Sequence, residues 1–325
     1  MKQKCAIGID LGGTTIKGTV MNADGTFRHL KRVPTEAHKS GSRVLENILS
    51  LIEHLIHQEG GKDHILGVGL GTPGFVDTKG VIIGGCENLP GFKGTRFYDA
   101  VRDKFSLRAT AANDVTVATF AEFKYGAGRG VQNIVCLALG TGVGGGIVTN
   151  GHLYKGTHGM AAELGHVVVE TGGLQCNCGL KGCLERYASA TGIVTMAKII
   201  AADTPEPEVT PFVREVRKDP EAVTSKMVYD FVNHKDIAAL RVHETVCEKL
   251  AIGIGIFLNS LAPDRIILGG GVMKAGQIII DTVNKYVPLH CWPDIASRCT
   301  IVPAELSEDA GVLGCGAMVF EDLNN

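Results

Sequence analysis

The chain predicts an α/β protein of two domains, each a sheet covered by helices. Three observations carry this. Hairpin patterns and strand–helix units alternate along the sequence, the signature of layered α/β architecture. The length, 325 residues, exceeds the roughly 250–300 residues at which a single core stops growing. The opening pattern also returns: AIGIDLGGTTIKGTVMNADG at 6–25 resembles CLALGTGVGGGIVTNG at 136–151. Two similar hairpins, each opening one half of the chain, point to a duplicated architecture.

The elements follow in order. Residues 4–10 are an apolar run ending in Asp10, and TIKGTVMN after LGGT alternates apolar with polar; together they read as a hairpin. Ser42–Gln58 places Val44, Ile48, Leu51, Ile52, Leu55 and Ile56 at helical spacing. ILGVGLG at 65–71 is a buried strand by length and flanks. Residues 107–112 lead into Asn113-Asp114, and 115–125 read as a helix. After the second hairpin, Pro- and charge-rich 203–225 reads as exposed connections around short helices. Glu244–Leu261 is an apolar helix, 263–272 a strand with a triple-glycine exit, 278–287 a helix and 299–303 a strand. Asp309–Glu321 is a helix whose small residues permit close packing.

Composition narrows the function classes. Hydrophobic content is 45%, charged content 20% and net charge −2, so there is no basic excess to hold a nucleic-acid backbone. No apolar run reaches the ~20 residues needed to span a bilayer. The N-terminal MKQKCAIGIDLGG lacks the apolar core of a signal peptide, and a cytoplasmic location is expected. The ten cysteines are then thiols or metal ligands rather than disulfides. Cys5, Cys86, Cys136, Cys247, Cys291, Cys299 and Cys315 stand singly in mostly apolar surroundings and read as small core residues.

The most informative stretch is 163–185, ELGHVVVETGGLQCNCGLKGCLE. His166, Cys176, Cys178 and Cys183 offer one imidazole and three thiolates, the donor set of a closed structural Zn²⁺ site. Four protein ligands leave no open position for catalysis. Glu163 and Glu185 flank the loop, so a metal would fix both carboxylates beside it. One nitrogen of His166 can bind metal while the other faces a ligand.

The glycine turns DLGGTT (10–15) and LGTGVGGG (139–146) present successive backbone N–H groups, as anion-binding nests do. Each alone could be a tight hairpin. Two in tandem, with LGGGV at 268–272, favour a nucleoside triphosphate. A dinucleotide fingerprint is disfavoured because IVTNGHLY continues as a strand rather than a helix. Asn113-Asp114 stands between a strand end and a helix start. The acid there is an ordinary N-cap or a general base for a bound hydroxyl. Asn88, in GCENLPGF, reads from spacing alone as a turn amide.

Together these residues resemble the ROK family of sugar kinases, within the actin-like and hexokinase-like superfamily, over nearly the whole chain. IGIDLGGTTIKG and LGTGVGGG are similar to its two phosphate motifs, ELGH and CNCGLKGCLE to its most specific signatures, and PDRIILGGGV to its adenosine-side segment. The resemblance implies an actin-like, ribonuclease H-like duplicated fold with a cleft between an N-terminal domain (1–114, joined by the C-terminal helix 309–325) and a C-terminal domain (115–308) carrying the zinc loop 166–183. It implies Asp114 as the base that deprotonates the sugar's primary hydroxyl. It implies Asn88, Asn113, Glu163, His166, Glu185 and the backbone near Gly74 as sugar contacts. Asp10 would face Mg²⁺, and Gly12, Gly13, Thr14, Thr141 and Gly142 would line the phosphates of ATP, with Gly270 near the adenosine.

The expected activity is ATP-dependent phosphorylation of a hexose at its 6-hydroxyl, most like a glucokinase, in a homodimer. N-acetylmannosamine and N-acetylglucosamine are alternative substrates. A sugar-responsive transcriptional repressor is the rival of another class. Such proteins carry a DNA-binding domain before the sugar domain, and a first strand near residue 4 leaves no room for one. A zinc-dependent hydrolase is disfavoured by the closed ligand set.

Overall fold

The computed structural model describes residues 3–306 and 308–322. The chain divides into two compact units, 1–131 with 146–162 and 304–325, and 132–145 with 163–303.

In the first unit, β1 (Cys5–Leu11), β2 (Thr15–Asn22), β3 (Phe27–Pro34), α1 (Gly41–Gln58), β4 (Ile65–Thr72), β5 (Phe75–Val76), β6 (Ile82–Gly84), α2 (Phe97–Phe105), β7 (Arg108–Asn113) and α3 (Asp114–Tyr125) follow in order. The sheet order is β3-β2-β1-β4-β7. β1 and β2 form the expected antiparallel hairpin, while β4 lies parallel to both β1 and β7. The predicted helical stripe on α1 faces the core: Val44, Ile48, Leu51, Ile52 and Leu55 join Ile7 and Ile9 of β1, and Ile56 packs against them partly buried. Ser40 caps this helix by accepting from the Arg43 N–H.

The other face of β1 and β4 is covered by the last helix, described below. A Cβ on Gly8 would come within 2.2 Å of the Val312 carbonyl, and one on Gly69 within 1.8 Å of that of Cys315. These glycines let a helix backbone lie directly on the sheet, which explains the small-residue pattern of AGVLGCGAMVF.

In the remaining chain come β8 (Ile134–Leu139), β9 (Val143–Thr149), β10 (His152–Leu153), α4 (Glu185–Ala188), α5 (Ala190–Asp203), α6 (Pro211–Lys218), α7 (Ser225–Asn233), α8 (Ile237–Leu261), β11 (Arg265–Gly269), α9 (Gln277–Tyr286), α10 (Pro293–Ala296), β12 (Thr300–Pro303) and finally α11 (Ala310–Glu321). The second sheet has order β10-β9-β8-β11-β12. Numbered within each sheet, both run third, second, first, fourth, fifth, with the last two strands parallel to the first. The duplication inferred from two hairpins therefore extends to whole sheets.

Some boundaries differ from expectation. The expected domain boundary after residue 114 separates α3 from β7, whereas α3 belongs to the first unit, where Ala121 packs with Met21, Ala310 and Leu313. Helix α8 starts at Ile237 rather than Glu244 because Asp236 caps it, accepting from the N–H groups of Ala238 and Ala239. Six of the seven scattered cysteines are buried as expected, and Cys299 is half-buried. Among the described residues no helix is long and apolar enough to cross a membrane.

Candidate active site

In the first unit, β1 delivers Asp10 to the start of the glycine turn. Its carboxylate lies against Gly311 of α11, where a Cβ would come within 2.5 Å of Asp10 Cγ and Oδ2. Burial raises the Asp10 pKa; Lys17 opposes the rise and Asp114 adds to it. The turn is pinned by Thr35, whose hydroxyl donates to the Gly12 carbonyl at 2.6 Å and whose N–H donates to that of Thr14 at 2.9 Å. Gly13 and Thr14 are exposed. Asn88 is an exposed side chain that stands over Gly13, its Nδ2 being 3.3 Å from where a Cβ would sit.

Asn113 and Asp114 divide the two roles considered for this pair. Asn113 is the N-cap: its Oδ1 accepts from Val115 N–H at 2.9 Å and Thr116 N–H at 3.4 Å. Its Nδ2 donates to the Gly74 carbonyl at 3.3 Å. Asp114 is the first helical residue, and its Oδ1 shares the Val115 N–H at 2.9 Å. Burial raises its pKa, with hydrogen bonds from the Val115 backbone opposing. A carboxylate moved toward neutrality in this way is a better proton acceptor than an exposed one.

In the second unit, the turn after β8 is held from the start of α5. Ala190 N–H donates to the Gly140 carbonyl at 2.8 Å and Thr191 Oγ1 to that of Thr141 at 2.9 Å. Gly270 follows β11 with φ of 90°, and a Cβ there would meet the Leu139 carbonyl at 2.5 Å. Glu185 Oε2 accepts from Val143 N–H at 3.0 Å.

The loop 166–183 gathers its four donors. The ligand atoms of His166, Cys176, Cys178 and Cys183 all lie within 4.8 Å of one another. Cys176 Sγ is 3.6 Å from His166 Nδ1, and Cys178 Sγ is 3.6 Å from Cys183 Sγ. Tetrahedral zinc with ordinary bond lengths separates such pairs by about 3.6 and 3.8 Å, so the residues fit the ion. Burial and the neighbouring sulfurs push the Cys183 thiol up to about 12. Nδ1 of His166 faces the sulfurs, while Nε2 lies 3.9 Å from Glu163 Oε2.

A second grouping, Cys5, Glu59 and His64, has metal-ligand residue types. There Glu59 is committed to Arg28 at 2.7 Å and His64 at 2.8 Å, and the Arg28 guanidinium holds its carboxyl down to about 2. This is an ion-pair network.

Asp10, Gly12, Gly13, Thr14, Gly74, Asn88, Asn113 and Asp114 thus belong to the first unit, and Thr141, Gly142, Glu163, His166, Glu185, Gly270 and the three cysteines to the second. Thr35 and Thr191 went unread in the sequence, because each meets a partner distant along the chain. Val143 and Gly311 lay inside patterns that were read, but their partners Glu185 and Asp10 were not.

The ROK family model matches residues 6–322. A glucokinase from Halalkalibacterium halodurans is 34% identical, covering 100% of this chain and 98% of that protein. A xylose repressor from Bacillus spizizenii is 24% identical over 97% of this chain and 77% of its own length. Among solved structures, a ROK hexokinase from Thermus thermophilus superposes with a TM-score of 0.83 at 26% identity, covering 98% of this chain and 99% of that one. A ROK family glucokinase from Streptomyces griseus, in complex with glucose and AMPPNP, gives 0.75 at 27% identity over 98% and 99%. Matched from its first strand to the end of its last helix, the chain belongs to the ROK family.

Proposed function

We propose that the protein is a hexose kinase that transfers the γ-phosphoryl group of ATP to the 6-hydroxyl of a hexose, with glucose preferred. The observation that carries this reading is Asp114: a half-buried carboxylate at the first position of a helix that Asn113 caps, its pKa raised by burial. The 34% identity to a glucokinase over the full chain supports it, as does the likeness to a glucokinase bound to glucose and AMPPNP.

In this mechanism Asn88, Asn113, Glu163, His166, Glu185 and the Gly74 backbone receive the sugar hydroxyls. Backbone N–H groups of the two glycine turns receive phosphate oxygens, as such turns do elsewhere, and Gly270 borders the adenosine. The 6-hydroxyl oxygen attacks the γ-phosphorus, its proton passes to Asp114, and ADP leaves. Magnesium bound with ATP would neutralise phosphate charge, and Asp10 would face it. The His166–Cys176–Cys178–Cys183 centre is scaffolding that orients Glu163, Glu185 and the Nε2 face of His166.

A coupled ADP-release assay against glucose, mannose, fructose, N-acetylglucosamine and N-acetylmannosamine tests the proposal. Glucose should give the highest kcat/KM. A higher value for an N-acetylated hexosamine would reassign the substrate. Sugar binding without turnover on any of them would favour the repressor reading.

A further inference from the structure

Glu185 ties the proposed sugar contacts to the second glycine turn. Its Oε2 accepts from Val143 N–H at 3.0 Å. The missing side chain at Gly142 makes room for it, since a Cβ there would come within 2.3 Å of that oxygen. Its Oε1 lies 4.0 Å from Cys176 Sγ in the metal loop. Gly165, in the turn between Glu163 and His166, rests on the Val143 carbonyl, where a Cβ would approach to 2.0 Å. One amide of a turn suited to phosphate is therefore already given to a carboxylate. That carboxylate occupies the donor and also repels a triphosphate by like charge.

We infer that Glu185 is a positioning residue that makes ATP binding at this turn depend on sugar, an inference that rests on the hexose-kinase reading. Without sugar, the carboxylate holds Val143 N–H and keeps phosphates away. A sugar hydroxyl donating to Glu185 draws the carboxylate off the turn and frees the amide for a phosphate oxygen. The device orders binding, sugar before ATP, and suppresses ATP hydrolysis in the absence of sugar.

The test is calorimetric titration of AMPPNP with Mg²⁺ into the zinc-loaded protein, with and without saturating glucose. The parent reading is checked first: no turnover of any hexose in the coupled assay removes it, and this inference with it. Given turnover, glucose should tighten AMPPNP binding to wild type roughly tenfold, about what one charge-assisted hydrogen bond supplies. Glu185→Gln removes the charge, and Glu185→Asp shortens the reach to Val143. Each should bind AMPPNP more tightly than wild type without sugar, with the glucose effect much reduced. A purely structural role for Glu185 predicts weaker binding instead. Wild-type affinity unchanged by glucose, or sugar-free binding no tighter in a folded, zinc-replete variant, overturns the inference. If one variant fails to fold, the other decides.

Discussion

The turn at Gly12–Thr14 and the turn at Gly140–Gly142 each join the first two strands of sheets with the same strand order, yet their surroundings differ. The first lies in the unit that holds two half-buried carboxylates, Asp10 and Asp114, both with pKa values raised chiefly by burial. The second lies beside a loop whose four donors fit zinc, and its Val143 amide is held by Glu185. Each turn is pinned by a threonine hydroxyl donating to a turn carbonyl, Thr35 in one and Thr191 in the other. Duplication copied the backbone device, because a strand–turn–strand path presents amides whatever the side chains. Acid–base chemistry and metal binding depend on side chains from other elements, and these diverged between the halves.

The largest way to break the comparison is to remove the metal. Cys183, fully buried, should be the most sensitive ligand. Cys183→Ser should lose bound zinc by elemental analysis and much of its thermal stability, since structural zinc supplies on the order of 10 kcal/mol to the folds that need it. A chelated protein that keeps its zinc-loaded Tm would show that the loop is not scaffolding.

Next is Asp114 in the other half. Asp114→Asn should lower kcat by roughly 100-fold or more, the usual contribution of a general base, with zinc content unchanged. In wild type, activity should fall as pH drops through the raised Asp114 pKa, and that limb should vanish from the residual activity of the variant. The stability effect has the opposite sense. Burial raises the folded-state pKa above the unfolded one, so this group's stabilising contribution is present at low pH and lost as pH rises through the folded pKa. Asp114→Asn should therefore raise Tm slightly at neutral pH. Near-normal turnover in a folded variant would withdraw the assignment of the base.

Gly311→Ala probes Asp10 without touching its chemistry. The added methyl must displace the Asp10 carboxylate. A loss of kcat of roughly 10- to 100-fold is expected from misplacement of this order, together with a higher Mg²⁺ requirement. Unchanged Mg²⁺ dependence would argue against Asp10 as the residue facing the ion. The smallest effects come from Thr35→Val and Thr191→Val. Each deletes one hydrogen bond worth about 1 kcal/mol, and each should raise the KM for ATP a few-fold. A large effect at one site alone would mean that the turns do not share the phosphates.

Much of the fold was legible because periodicity is local. The β1–β2 hairpin, α1 and α11 follow from residues adjacent in the chain. β3 escaped notice because, as an edge strand, it is mostly exposed and carries Arg28, His29, Lys31 and Arg32, which hide any alternation. β10 is too short, at two residues, to leave a pattern. The four candidate metal ligands were legible because all fall within one short stretch. The choice between capping and base at Asn113-Asp114 was not, since both residue types cap helices equally well.

By itself, the sequence determined where the glycine turns fall, which four residues can bind metal, and that two acids flank them, because these features are set by neighbours along the chain. The tertiary structure decided that Asn113 is the N-cap and Asp114 the first helical residue, that Gly311 makes room for Asp10, and that Glu185 reaches Val143. Those relations depend on which elements pack against one another, and residues at opposite ends of a chain carry no local record of their contact.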